Sequence, residues 1–153
     1  MKRRTFLKGG LAGGTVGIAV GAGLLSPQAV LAAYPDKAFE AKEMDKALNA
    51  MFGSSDLSAS GDITVKAPDI AENGAVVPIT VDTSLDAESV AIVAEKNPVP
   101  MVAEFMMGGD TKGYVSTRIK MGKTSDVVAV VKSGGKLYSA RKEVKVTIGG
   151  CGG

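Results

Sequence analysis

The side chain best suited to covalent chemistry in this 153-residue sequence is Cys151, set in the run Gly149-Gly150-Cys151-Gly152-Gly153. It is the single Cys, and the chain has no His and no Trp. Without His there is no Ser-His-Asp or Cys-His nucleophile, and one thiol alone leaves no His/Cys cluster for zinc or copper. No internal disulfide can form. Neither catalytic residues nor a metal or cofactor site are therefore expected. Glycine maximises backbone freedom, so residues 149–153 read as a swinging arm rather than the end of a strand. Five extended residues reach roughly 17 Å, with the sulfur near the middle. The bare glycines beside Cys151 would let such an arm enter a cleft too narrow for an ordinary peptide. Ordering it costs about 1–2 kcal/mol per residue, which favours brief visits over tight complexes. Nothing in the sequence around Cys151 would activate its thiol, so activation falls to whichever enzyme receives the arm. Cys151 has the marks of a carrier, not a catalyst.

The other end of the chain gives that thiol a context. Lys2-Arg3-Arg4-Thr5-Phe6-Leu7-Lys8 is followed by an apolar, Gly-rich stretch from Gly9 to Leu25, a break at Ser26-Pro27 and a small-residue exit at Val30-Leu31-Ala32. A charged start, a short apolar segment and such an exit make an export signal, here residues 1–32. Arg3 and Arg4 followed by Phe6 and Leu7 resemble the twin-arginine type, which carries folded proteins across the bacterial inner membrane. The apolar stretch has 17 residues, seven of them Gly, which is short and weakly apolar for a stable membrane anchor. The expected location is the periplasm, where a lone exposed thiol is a liability unless it is used. Export in the folded state, with no cofactor ligands in view, points to a partner subunit acquired beforehand.

Removing that segment also removes Lys2, Arg3, Arg4 and Lys8. Of the 18 basic residues 14 then face 16 acidic ones, near −2 instead of the +2 of the whole chain. A body of mixed sign with no clustered Lys and Arg is a poor nucleic-acid binder.

The body, 33–148, must position the arm. From Asp36 to Phe52 the residues Phe39, Met44, Ala47, Leu48 and Met51 recur at helical steps. Asp36 is placed to cap the start and Gly53 to close the end. After Ser54 come β-type runs at 62–66, 75–82, 89–95, 100–107, 114–121, 126–132 and 136–148, separated by turn chemistry such as Asn73-Gly74 and Ser133-Gly134-Gly135. Val115, Thr117, Ile119 and Met121 alternate with Tyr114, Ser116, Arg118 and Lys120. The stretch 127–131 is apolar throughout, as in a strand covered on both faces. Seven short strands at regular spacing predict an all-β fold, an antiparallel immunoglobulin-like β-sandwich with an N-terminal helix. Pro98 and Pro100 would stiffen a strand connection and block pairing at an edge. Met101, Met106 and Met107 suit core filling or a contact surface better than a soft-metal site. Gly134-Gly135-Lys136 is followed by Leu137 and lacks the upstream Gly of a P-loop.

The closing run Val144-Lys145-Val146-Thr147-Ile148-Gly149-Gly150-Cys151-Gly152-Gly153 resembles that of the SoxY family of thiosulfate-oxidation sulfur carriers. So do residues 63–74, from Ile63-Thr64-Val65 to Glu72-Asn73-Gly74, residues 114–121 and the twin-arginine signal. That resemblance implies an immunoglobulin-like carrier subunit, not itself an enzyme, in a heterodimer with a SoxZ-like subunit. It implies that intermediates stay covalently bound to Cys151 while other enzymes act on them. These are a c-type cytochrome enzyme that joins thiosulfate to the thiol, a dimanganese hydrolase that releases sulfate, and a sulfur dehydrogenase. Two rivals stand beside it. A ubiquitin-like sulfur carrier would use a terminal Gly carboxylate on a β-grasp fold, and an exported adhesion or assembly module would use the Cys for an intermolecular disulfide.

Overall fold

The protein is described from a computed structural model covering residues 35–147, so the export segment with Arg3, Arg4, Phe6 and Leu7 and the arm 149–153 lie outside the described residues. Two helices, α1 (Asp36–Glu40) and α2 (Met44–Phe52), precede nine strands. The strands are β1 (Leu57–Ala59), β2 (Ile63–Lys66), β3 (Ile70–Ala71), β4 (Val77–Thr83), β5 (Ser89–Ala94), β6 (Met101–Met106), β7 (Gly113–Ile119), β8 (Ser125–Ser133) and β9 (Lys136–Val146).

Two sheets face each other. One has the order β1-β9-β8-β5-β6, with β3 also on β9, and the other the order β2-β4-β7. The larger order matches the G-F-C-C′ sheet of an immunoglobulin fold and the smaller its A-B-E sheet, so the expected immunoglobulin-like sandwich is observed. Between the sheets lies the main core. Val77, Ile79 and Val81 of β4 and Val115 and Ile119 of β7 meet Val90, Ile92, Val127, Ala129, Val131 and Val144 from the other sheet.

The larger sheet is apolar on its outer face too. Ala91 and Val93 of β5 and Val128 and Val130 of β8 pack with Ala47 and Leu48 of α2, Met101 and Leu137 in a second cluster. An amphipathic helix is the cheapest cover for such a face, and α2 supplies it. Gly53 closes α2 in the left-handed region at φ 74°, its N–H bonded to Asn49 O at 2.9 Å.

Three expectations need correction. The single helix from Asp36 to Phe52 is two, with Ala41 extended and Glu43 at the N-cap position of the second without a side-chain cap bond. Phe39 and Ala41 both pack on the outer cluster, yet residues two apart sit about 200° apart around one helix, so the break lets both face the sheet. Asp36 is the first helical residue, not the cap, because Pro35 holds that position. Nor are all the pairings antiparallel, since β1 and β3 run parallel to β9. With three and two residues they are too short to show a period, which is why only seven of the strands were expected.

Leu48 has no solvent exposure and sits at the centre of the outer cluster. Leu48→Ala is expected to destabilise the domain by about 2–5 kcal/mol, read from urea denaturation, while the near-ultraviolet spectrum of the native state is kept.

Candidate functional site

Site residues Cys151, Gly149, Gly150, Gly152 and Gly153, and the signal residues, lie beyond the described chain. The strand that leads towards the Cys151 run is β9. β9 alternates as read from its sequence, with Val144 buried, Val146 half-buried and Glu143, Lys145 and Thr147 exposed. Its last residues are held from both sides. On one side β3 pairs Ile70 with Lys145 and Ala71 with Val146, Lys145 N–H donates to Asp69 O at 3.0 Å, and Thr147 N–H to Ala71 O at 3.2 Å. On the other, Val146 N–H donates to Thr124 Oγ1 at 2.9 Å. The strand is therefore fixed in place to within four residues of Cys151.

Two turns carry those contacts. Asn73 Oδ1 accepts from Ala75 N–H at 2.9 Å, forming an Asx turn, and Met121 N–H donates to Gly74 O at 2.7 Å. Gly74 is needed for the approach, because a Cβ there would collide with Met121 O and lie 2.8 Å from Val146 Cγ1. The β5–β6 connection joins the same end. Asn97 Nδ2 donates to Lys120 O at 2.8 Å, and its Oδ1 accepts from Gly122 N–H at 3.0 Å. Ile70 of β3 is exposed, as are Val76 and Val99 on the connections before β4 and β6.

Lys142 Nζ bonds Asp69 Oδ1 at 2.5 Å, tying the segment before β3 to β9. That hydrogen bond, and then the charge of Lys142, lowers the Asp69 pKa below the ordinary carboxylate value of 3.8. At the far end of the sandwich Glu88 is lowered in the same way, first by Lys132 and then by Gly135 N–H.

The three grouped methionines separate. Met101 is buried in the outer cluster, Met107 packs on the main core and Met106 is 78% exposed. Among the described residues no three His, Cys, Asp or Glu side chains are grouped to hold a metal ion, and no helix is long and apolar enough to cross a membrane. The surface hollows border β1 and β9, one by Phe52, Ser58 and Lys136 and one by Gly61 and Arg141, away from the mount of the arm. Sequence reasoning missed Asp69, Asn97 and Thr124. Asn73-Gly74 was legible as a turn, but not as the collar of the last strand.

The final strand of this β-sandwich is held on both edges, and in the sequence only Thr147 and Ile148 separate it from Gly149-Gly150-Cys151-Gly152-Gly153. The chain belongs to the SoxY family: residues 48–151 match the family described as "Sulfur oxidation protein SoxY". It is similar to the sulfur carrier protein SoxY from Chlorobium limicola f thiosulfatophilum, at 50% identity and a TM-score of 0.63, covering 69% of this chain and 97% of that one. A superoxide reductase (neelaredoxin) from Ignicoccus hospitalis aligns at 18% identity and a TM-score of 0.49, over 56% of this chain and 80% of its own. No curated protein sequence gives a match.

Gly74→Ala is expected to lower stability by about 1–3 kcal/mol, because the turn must retreat from Met121 and Val146. Faster hydrogen exchange at the amides of Met121, Val146 and Thr147 would locate the damage. A second expectation concerns acid. The Asp69 pKa is depressed in the folded state, so its contribution is present above the unfolded value and is lost as pH falls through the folded one. The protection of the Lys145 amide against exchange, relative to its intrinsic rate, should therefore fall as the pH drops below the ordinary carboxylate range. In Asp69→Asn that acid-dependent step should be absent.

Proposed function

We propose that the protein is a covalent sulfur carrier in sulfur oxidation and that the thiol of Cys151 is its attachment site. The reading is supported first by the family match, which extends to Cys151, and by the described mount that delivers the chain to Gly149-Gly150-Cys151-Gly152-Gly153. The similar protein from Chlorobium limicola f thiosulfatophilum is itself described as a sulfur carrier. In this proposal the protein is the bound substrate of other enzymes and supplies no catalytic group.

The chemistry divides into steps that a thiol can support. Joining thiosulfate to Cys151 forms an S–S bond between Sγ and the outer sulfur of thiosulfate. The thiol proton goes to water and two electrons pass to a c-type cytochrome enzyme. Hydrolysis by the dimanganese enzyme then transfers the sulfonate group to water as sulfate and leaves a persulfide on Sγ. A sulfur dehydrogenase oxidises that sulfur further. A covalent link keeps the persulfide from diffusing away between these visits. Residues 1–32 would act as a cleaved twin-arginine signal to the periplasm, carrying a SoxZ-like partner subunit with the folded chain.

The test is the intact mass of the protein isolated from the periplasm of thiosulfate-fed cells, before and after reductant. Adducts in thiosulfonate or sulfane-sulfur increments are expected, removed by reductant and absent from Cys151→Ser. An unmodified mass, adducts that survive in the Ser variant, or a disulfide dimer as the main form during turnover would each overturn the carrier reading.

A further inference from the structure

The sequence holds three asparagines, Asn49, Asn73 and Asn97, and only Asn73 precedes a glycine. An asparagine amide is lost as ammonia when the nitrogen of the next residue attacks its Cγ, so that following nitrogen decides its fate. After Asn97 comes Pro98, which has no N–H to give up. After Asn49 comes Ala50 inside α2, where the helical ladder holds the N–H. Gly74 is the opposite case. Its nitrogen has no side chain beside it and donates no hydrogen bond among the described residues, while its carbonyl accepts from Met121 N–H at 2.7 Å.

The carbon to be attacked is prepared as well. Asn73 is exposed, and its Oδ1 accepts from Ala75 N–H at 2.9 Å. A donor there fixes which end of the amide is oxygen. It also draws electron density from Cγ and faces the negative charge that forms on Oδ1 during attack. Asn73 Nδ2 enters no hydrogen bond among the described residues, so water is free to protonate the leaving nitrogen.

We propose that Asn73-Gly74 is a deamidation site of the folded domain, and that its isoaspartate product loosens the turn beside the end of β9. Hydroxide or water removes the Gly74 N–H proton, the nitrogen bonds to Cγ, and the Cγ–Nδ2 bond breaks to release ammonia. Water then opens the five-membered imide at either carbonyl, with no change of oxidation state. Opening at Cγ gives aspartate on the ordinary backbone. Opening at the main-chain carbonyl gives isoaspartate, whose backbone runs through Cβ and Cγ and is one methylene longer. The turn has no room for that extra length. A Cβ on Gly74 would already collide with Met121 O and crowd Val146 Cγ1, and Met121 is itself buried. Isoaspartate must therefore push Gly74 away and break its carbonyl's bond to Met121 N–H. The proposal stands apart from the carrier reading, since it uses neither Cys151 nor a partner.

For the test, purified protein is aged in neutral and mildly alkaline buffer and then digested with trypsin. Cleavage after Lys66 and Lys96 gives a peptide in which Asn73 is the only side-chain amide. That peptide is expected to gain one mass unit and to split into two chromatographic species, at a rate that rises with hydroxide. Peptides carrying Asn49 and Asn97 should keep their mass. Asn73→Gln, which must close a slower six-membered ring, should keep its mass too. In native-state hydrogen exchange the isoaspartate fraction should lose protection at Met121. Asn73→Asp, which has the charge without the extra methylene, should retain it. No mass gain in residues 67–96, or equal gains at the other asparagines, would overturn the proposal. So would a rate that falls when sucrose is added as a stabilising osmolyte, because the reaction would then belong to the unfolded chain. Unchanged protection of Met121 in the isoaspartate fraction would overturn it as well.

Discussion

Strands β5 and β8 are buried on both faces, and the rest of the domain is arranged by the need to cover them. Val90, Ile92, Val127, Ala129 and Val131 point into the sandwich, while Ala91, Val93, Val128 and Val130 point out of it. An antiparallel sheet in a sandwich ordinarily leaves its outer face to water. Here that face would expose contiguous apolar surface, a liability for aggregation. The helices and Met101 remove it by packing across the outside, and the β2-β4-β7 sheet closes the inside. β9 pairs with β8 along the whole length of β8, from Ser133↔Lys136 to Ser125↔Val144, so it is fixed to one of the two doubly buried strands.

That attachment explains how a small domain can aim a tail. β9 gains a second neighbour along each half, β1 at its start and β3 at its end. At its last two residues, paired with β3, the strand has no free edge to slip or fray. Thr124 and the Gly74 turn complete the collar. The arrangement separates two requirements that oppose one another. The root must be rigid, so that the arm always starts from one place. Beyond it stands glycine, the residue type that least restricts a backbone, which suits the carrier role proposed for Cys151.

Much of this was legible in the sequence. The periods of the seven longer strands and the two-sided burial of 127–131 came directly from the pattern of apolar residues, because burial on a pleated sheet repeats every two residues. The short strands did not. β1 and β3 contain five residues between them, and their pairing with β9 is decided by tertiary packing. Likewise the helix break follows from the shape of the face it covers, a property of several distant strands. For the functional part the balance reversed. Cys151 and its glycines were plain in the sequence, while Asn97, Thr124 and Asp69 are ordinary polar residues whose roles exist only once the loops meet.

The division between thiol and domain has a physical logic. Glycine neighbours cannot shield a reactive sulfur or sense whether it is loaded, since they carry no side chains to do either. Under the proposed carrier role, any discrimination between a loaded and an empty thiol would then fall to the enzymes that receive it. What the described domain supplies is a fixed end to β9, whose last residues are held by Thr124 and approached by the Gly74 turn, on a sandwich whose stability is concentrated in the doubly buried strands β5 and β8.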